Sequence, residues 1–219
     1  MFETPKGLPP ICDHDQAINL ILGIVPPNIR PYRFPYVQKR EIERMIAEML
    51  EAGIIQLSEI SFYALVVLVH KNDGSWHMCL DYRELNKLTI KDKFPIHVID
   101  ELLDELHGAI YFTKLDVRSG YHQIRMKTEN IPKTVFQTHE GHYEFLVMPF
   151  GVTNVPSTSQ WVMNSIFKPL LRKFVLLIFD DKLIYSRSWK DHVQHVDKVL
   201  ELLEEKQLYE KTSKYFFGV

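Results

Sequence analysis

The chain has 219 residues, 46% of them apolar, which is enough to bury a substantial core in one large domain or two small lobes. Its apolar runs, such as Phe174–Phe179, are far shorter than the roughly 20 residues of a membrane span, and no secretion-signal pattern opens the chain. A net charge of −2 gives no bulk signal for nucleic-acid binding, and two isolated cysteines indicate neither disulfides nor a metal pair. We therefore expect a soluble intracellular protein that is not secreted and has no membrane partner.

The first predicted element is a proline-rich N-terminal arm over residues 1–36, which holds seven of the twelve prolines. Each proline fixes φ and removes a backbone donor, so this arm should be extended. A helix is predicted next, because apolar residues recur at three- and four-residue spacing from Ile42 to Leu50 while charged residues fill the other face. Gly53 lies where a C′ glycine would end that helix.

A β-hairpin is predicted over residues 64–82. Its first strand is the apolar, β-branched run Ala64–Val69, and its second is the alternating run Trp76–Tyr82. Between them, Asn72–Ser75 carries the asparagine, aspartate, glycine and serine that favour tight turns.

Three further helices are predicted from apolar periodicity and from start and stop signals. The first runs from His97 to His107 and stops at Gly108. The second covers Asn154–Lys168 and breaks at the proline that follows. The last begins at Ser188–Asp191, which has the pattern of a capping box.

Three aspartates are the candidate catalytic residues. Strand-like runs at Lys173–Phe179 and Leu183–Tyr185 flank Asp180, Asp181 and Lys182, which predicts a tight hairpin with two acids at its tip. A further strand-like run, Tyr111–Asp116, also ends in an acid. If the strands are neighbours, Asp116 faces the acidic turn across the edge of a sheet.

Convergent carboxylates suit Mg²⁺, which takes oxygen ligands, and two such ions about 4 Å apart support in-line phosphoryl displacement. Acid pairs are also common in turns for conformational reasons, so spacing alone leaves a purely structural interpretation open. Two histidine pairs, His139 with His142 and His192 with His195, have zinc-like spacing without cysteines. We interpret them as loop and helix-face residues.

Longer sequence motifs surround the three aspartates. The sequence resembles the reverse transcriptase of a gypsy-type (metavirus) LTR retrotransposon Pol polyprotein, in its fingers and palm portion. Four motif regions carry the resemblance: LDVRSGYHQI at 115–124 for motif A, LDYRELN at 80–86 for the fingers, HEGHYEF at 139–145 with MPFG at 148–151 before motif B, and FDD at 179–181 with LIYS at 183–186 for motif C.

The resemblance implies an α+β right-hand polymerase fold, in which a palm with an antiparallel sheet and flanking helices joins a fingers subdomain. The fingers would span residues 37–108 with the hairpin at 64–82, and the palm 109–219 with motifs A, B and C. The chain would stop before the thumb and RNase H. In the family this portion belongs to a Pol polyprotein with protease, RNase H and integrase.

The resemblance also implies roles for individual residues. Asp116, Asp180 and Asp181 would be catalytic and would bind two Mg²⁺ ions, or Mn²⁺ as a substitute, with help from the Val117 carbonyl. Tyr121 would be the steric gate against a ribonucleotide 2′-OH. The nucleotide-binding set would be Lys71, Arg118, Ser119, Gly120, Tyr121, Phe150 and Gly151, and Lys214 would be a proton donor for pyrophosphate.

The implied activity is RNA-directed DNA synthesis, with two-metal transfer of a nucleotide from a dNTP to the 3′-OH of a primer on an RNA or DNA template. The location would be cytoplasmic, in a virus-like particle, or nuclear. A metal-dependent nuclease using the same acids would leave the nucleotide-gate motifs without a role.

Four positions depart from the family pattern and support an alternative, a catalytically inactive fragment that retains at most weak nucleic-acid binding. His77 replaces an arginine, Ser159 a phenylalanine, Ile178 an aromatic residue and Lys182 an apolar residue. The Lys182 ammonium could pair with a catalytic carboxylate and compete with Mg²⁺, or strand alternation could point it away.

Overall fold

The computed structural model describes residues 7–10, 15–21, 33–60, 64–71, 74–92, 104–116, 120–178, 181–209 and 218. Its contacts divide the chain into two compact units. The five-stranded unit contains the described residues up to 92 together with 121–155, and the three-stranded unit contains those of 104–120 and from 156 onward. These units group residues by contact, so the predicted boundary between residues 108 and 109 stays a prediction. No helix in the described ranges is long and apolar enough to cross a membrane.

Helix α1 (Tyr36–Glu51) is the first regular element of the five-stranded unit and confirms the predicted helix. It begins directly after Pro35 and buries Ile42 and Ile46. It ends before Gly53, whose φ of 68° is the left-handed conformation expected of a C′ glycine.

The sheet of this unit has five strands, which are β1 (Ile55–Leu57), β2 (Ala64–His70), β3 (Trp76–Asp81), β5 (Phe136–Gln137) and β6 (His142–Phe145). Their order in the sheet is β1-β6-β5-β2-β3. The predicted hairpin is confirmed as the antiparallel β2–β3 pair, whereas β2 and β5 are parallel. Strands β1, β5 and β6 and the short helix α2 (Arg83–Leu88) were not predicted, because runs of two to six residues carry little periodicity.

An aromatic cluster forms part of the core of the five-stranded unit. Phe136 is fully buried, and its ring centroid lies 5.3 Å from that of Phe145 and 5.8 Å from that of Tyr143. The buried Tyr82 hydroxyl donates a hydrogen bond to the Thr134 carbonyl at 2.7 Å, so its polar end is satisfied within the core. Burial raises the pKa of Tyr82 well above its usual range.

The elements of the three-stranded unit are β4 (Tyr111–Asp116), β7 (Val175–Ile178), β8 (Asp181–Ser186), α3 (Val155–Phe167) and α4 (Trp189–Glu205). Its sheet is antiparallel and has the order β4-β8-β7. Both predicted helices in this region are confirmed, and the N-cap Ser188 accepts a hydrogen bond from the Asp191 amide at 3.2 Å. Of the helix predicted at 97–107, residues 97–103 lie outside the described ranges.

One prediction about the acidic hairpin is wrong. Asp181 and Lys182 belong to strand β8 and do not form the tip of the turn. The reason is the ladder, in which Asp181 pairs with Asp116 on one side and with Ile178 on the other, so that its backbone continues the sheet.

A buried hydrogen-bonding network joins α4 to the sheet of the three-stranded unit. The His192 ring lies 2.7 Å from the Thr113 hydroxyl and 3.0 Å from the Ser186 hydroxyl, which is also 2.8 Å from His195 Nδ1. Because Ser186 has one proton, it donates to one imidazole and accepts from the other. Burial lowers the pKa of both histidines, so neutral rings hold the helix to the sheet.

Candidate active site

The antiparallel pairing of β4 and β8 places two of the candidate acids opposite each other. Asp116 and Asp181 are directly paired, at the end of β4 and the start of β8. Directly paired residues project from the same face of a sheet. The structure therefore brings these two positions together as expected, whereas Asp180 lies outside the described residues.

Lys182 lies on the other face of the sheet from Asp181. It is directly paired with Leu115 and Leu177, both buried, and it is itself only 1% exposed. Successive residues of a strand alternate between faces, so Lys182 projects into the core and away from the face to which the paired positions 116 and 181 belong, here called the acidic face. Of the two possibilities left by the sequence, the structure supports the second.

A different lysine occupies the acidic face. The Nζ atom of Lys114 lies 2.6 Å from Oδ2 of Asp181, in an ion pair whose two side chains are 42% and 46% exposed. Lys114 is paired with Leu183, two residues beyond Asp181, so the contact is a diagonal cross-strand pair. Lys114 was not among the residues predicted for the site, although its two-residue spacing from Asp116 places both positions on the same face.

Replacing Lys114 by methionine should strengthen divalent-metal binding at this face. An exposed ion pair contributes about 0.2–1 kcal/mol, so removing the competing ammonium should tighten Mn²⁺ binding up to about five-fold. Calorimetric titration of the two proteins with Mn²⁺ measures the change. Lys190→Met, at an exposed position of α4, is the matched control. Weaker binding by Lys114→Met than by the control would contradict competition.

Two of the predicted nucleotide-binding residues meet in the five-stranded unit. The rings of Tyr121 and Phe150 pack edge to face with centroids 4.6 Å apart, and the His122 ring lies 5.5 Å from Phe150. Phe150 is 51% exposed and therefore does not belong to the core. Tyr121 is half-buried, and its ring and that of Phe150 together form an aromatic surface.

Gly151 follows this aromatic pair in a conformation that suits glycine. Its φ is 92°, and a Cβ atom there would lie 3.3 Å from the Leu80 carbonyl oxygen. Asn86 fixes the loop by donating a hydrogen bond to the Gly151 carbonyl at 2.7 Å and accepting one from the Thr153 amide at 2.8 Å. Asn86 is thus a positioning residue, to which the sequence analysis assigned no role although its string was noted.

Of the remaining predicted residues, the structure describes Lys71 and Gly120. Lys71 is an exposed residue at the end of β2, where its amide donates to the Ser75 carbonyl at 2.8 Å. Gly120 begins a short 3-10 helix, Gly120–Gln123. Val117, Arg118, Ser119 and Lys214 lie outside the described residues.

The other departures from the family pattern have different surroundings. His77 is exposed on β3, paired with Val69. Ser159 is buried in α3. Because the position is buried, a serine in place of the family's phenylalanine costs packing energy. Ile178 ends β7 directly opposite Asp181.

Lowering the pH should reduce the free energy of unfolding because of His122. Burial lowers its pKa to about 4, against about 6.5 in the unfolded chain. The unfolded state therefore binds the proton more tightly, and the contribution present above pH 6.5 is lost as the pH falls towards 4. The loss should reach about 3 kcal/mol relative to His122→Phe, which keeps an aromatic ring and cannot titrate. Urea denaturation of both proteins at pH 7.5 and 4.5 measures it, and parallel pH profiles would refute the assignment.

The sequence matches a known family model over most of its length. Residues 69–218 match the family described as reverse transcriptase (RNA-dependent DNA polymerase). The Pol polyprotein of Drosophila melanogaster transposon 297 is 40% identical over 183 residues, which cover 80% of this chain and 17% of the relative. The Schizosaccharomyces pombe transposon Tf2-3 polyprotein is 34% identical over 189 residues, covering 86% and 14%. The chain thus spans less than a fifth of these relatives.

Solved structures agree with the sequence relatives. The protease-reverse transcriptase of prototype foamy virus has a TM-score of 0.80 at 25% identity, over 93% of this chain and 28% of that one. A foamy viral protease-reverse transcriptase in complex with dsDNA reaches 0.82 at 21% identity, over 99% and 44%, and supports the fold alone. The α+β right-hand polymerase architecture is therefore confirmed. With the family match over residues 69–218, these relationships establish that the chain belongs to the reverse transcriptase family.

Proposed function

We propose that this chain carries out RNA-directed DNA synthesis, by attack of a primer 3′-OH on the α-phosphate of a dNTP with release of pyrophosphate. The observation that carries the proposal is the register of β4 and β8, in which Asp116 lies directly opposite Asp181. Family membership supplies the reaction class.

The donor chemistry of the acidic face suits divalent cations. Two paired strand positions carry carboxylates there, and the Lys182 ammonium projects from the opposite face. The Asp181 carboxylate is half-exposed and forms an ion pair with the Lys114 ammonium, so it is accessible to a cation. We propose that Asp116, Asp180, Asp181 and the Val117 carbonyl hold Mg²⁺, with Mn²⁺ as a substitute. When bound, two such ions supply Lewis-acid activation of the attacking oxygen and charge stabilisation of the leaving one.

The chain's other residues bind and orient the nucleotide in this proposal. The Tyr121 ring supports the deoxyribose and leaves no room for a 2′-OH, while Phe150 and Gly151 line the pocket. Lys71 contacts the triphosphate, backbone amides at Arg118, Ser119 and Gly120 cradle phosphate oxygens, and Lys214 donates the proton to pyrophosphate. The edge-to-face contact with Phe150 supports the gate because it fixes the orientation of the Tyr121 ring.

The proposal extends to the surroundings of the reaction. The relatives are Pol polyproteins, and one foamy viral neighbour was solved with an RNA/DNA hybrid. We propose that the chain binds a primed RNA or DNA template and dNTPs, and acts beside protease, RNase H and integrase. We also propose an intracellular location, in cytoplasmic virus-like particles or in the nucleus.

Primer extension on an RNA template tests the proposed activity. The purified chain should add deoxynucleotides in the presence of Mg²⁺ and lose this activity when EDTA removes the metal. Restoration by added Mg²⁺ is the control for irreversible damage. If the chain binds metal but does not extend the primer on either RNA or DNA templates, the activity is refuted.

A second candidate is an inactive fragment with at most weak nucleic-acid binding. The buried Ser159 in place of a phenylalanine and the exposed His77 in place of an arginine favour it. The two candidates differ in metal binding, because an assembled site stabilises the folded state. Mg²⁺ or Mn²⁺ should raise the melting temperature of the wild type more than that of Asp116→Ala. Equal shifts would show that the site is not assembled and would favour the fragment.

A further inference from the structure

A second group of potential metal ligands lies in the five-stranded unit. Glu43, His139 and Glu140 are exposed residues whose ligand atoms all lie within 4.8 Å of one another. Glu43 comes from α1, and the other two come from the turn between β5 and β6. We call these three residues the Glu–His–Glu cluster. The histidine thus combines with two acids and not with His142, the partner that its sequence spacing would suggest.

We propose that the Glu–His–Glu cluster binds a transition-metal dication of the zinc type. One imidazole nitrogen and two carboxylate oxygens form a mixed donor set that suits Zn²⁺, whereas Mg²⁺ prefers oxygen ligands and retains water. The site is separate from the acidic face of β4 and β8, shares no residue with it and does not depend on polymerase activity.

The local structure preorganises these ligands. His139 Nε2 already lies 2.9 Å from Oε1 of Glu43, so two ligands are in contact before an ion arrives. The turn that carries the other pair is closed by the Thr138 amide, which donates to the Gly141 carbonyl at 2.9 Å. The Thr138 hydroxyl accepts from the amide of Glu140 at 3.1 Å. The backbone on both sides of the cluster is therefore fixed.

The remaining movement needed is small. Tetrahedral Zn²⁺ with ligand bonds of about 2.0–2.2 Å requires ligand atoms about 3.4 Å apart. Rotation of an exposed glutamate side chain can bring atoms that lie within 4.8 Å to this separation. A water molecule would complete the coordination, as in sites with three protein ligands.

The preference of this cluster for a dication comes from its donor atoms and not from net charge. The two glutamates contribute −2. Arg44, beside Glu43 on α1, hydrogen-bonds to Glu41 and Glu48. Lys39, one helical turn before Glu43, and Arg33 line the same cavity of about 410 Å³ as His139, and their two positive charges balance the two carboxylates. An imidazole nitrogen with two carboxylate oxygens is a donor set that suits a transition-metal dication.

Calorimetric titration with Zn²⁺ tests the proposal on the full chain. The Asp180→Asn background removes a proposed ligand of the acidic face and so reduces binding there. In this background we expect one Zn²⁺ site, and His139→Gln and Glu140→Gln should each weaken it by about ten-fold or more. Both positions are exposed, so both variants should fold.

His77→Gln is the matched control, because His77 is exposed in the same unit and lies outside the cluster. It should leave the affinity unchanged. The proposal is overturned if the parent protein binds no Zn²⁺, if both cluster variants bind it as well as the parent, or if the control weakens binding as much as His139→Gln. Each of these results leaves the polymerase proposal untouched, since that is tested by primer extension with Mg²⁺.

Discussion

Replacing Asp180 by asparagine is expected to lower the rate of RNA-templated primer extension by about a thousand-fold or more. The substitution keeps the size of the side chain and removes the negative charge that a divalent cation requires. Asp116→Asn should have an effect of the same order, because its position is paired with Asp181 on the acidic face. Initial rates of dNTP incorporation, measured in Mg²⁺ on the same primed RNA, give the comparison.

A control variant separates this local effect from a change in overall charge. Asp197→Asn removes one carboxylate from an exposed position of α4 and should leave the rate within about two-fold of the wild type. If Asp180→Asn retained more than about a tenth of the wild-type rate, the carboxylates would not be the metal ligands of the reaction. A loss in both variants alike would point instead to a general electrostatic or folding defect.

The sequence predicted that Asp116 and Asp181 lie near each other because both acids adjoin strands with clear apolar patterns. Strand β4 and the hairpin of β7 and β8 are marked by apolar runs next to acids, and the resemblance implies an antiparallel palm sheet. The strand boundary was misplaced by two residues. Turn propensity favoured placing Asp181 in the loop, but its ladder pairing with Asp116 keeps it in the strand.

The two lysines illustrate what sequence reasoning could not settle. Because Lys182 follows Asp181 directly, the sequence allowed an ion pair between Lys182 and a catalytic carboxylate. However, successive residues in a strand point to opposite faces. Lys114 is remote from Asp181 in sequence and reaches it only through the register of two strands. A contact that depends on register becomes visible once the pairing is known, and so the sequence left the role of Lys182 open and did not identify Lys114.

The short elements were missed for a different reason. Strand β5 has two residues, and its parallel pairing with β2 joins Ala64 to Phe136 across a long stretch of chain. Asn86 likewise acts through tertiary contacts, since its two hydrogen bonds reach Gly151 and Thr153. No local pattern carries such information, because it is created only when distant segments pack.

Phe136→Ala is expected to destabilise the fold by about 3–5 kcal/mol, the range for truncating a buried phenylalanine. Phe136 is fully buried, and its ring packs against Phe145 and Tyr143, so the cavity would open inside the aromatic cluster. Since domains are stable by only about 5–15 kcal/mol, the variant should unfold at a much lower urea concentration. Circular dichroism during urea titration measures the midpoint.

Phe150→Ala is the comparison that separates a structural aromatic residue from a functional one. Phe150 is 51% exposed, so the variant loses mainly its edge-to-face contact with Tyr121, worth about 0.5–1.5 kcal/mol. Its urea midpoint should stay near that of the wild type while its primer-extension rate falls, because the Tyr121 ring loses the neighbour that orients it. Equal destabilisation by the two substitutions would mean that Phe150 supports the fold as Phe136 does, and would remove the exposed aromatic pair from the proposed nucleotide pocket.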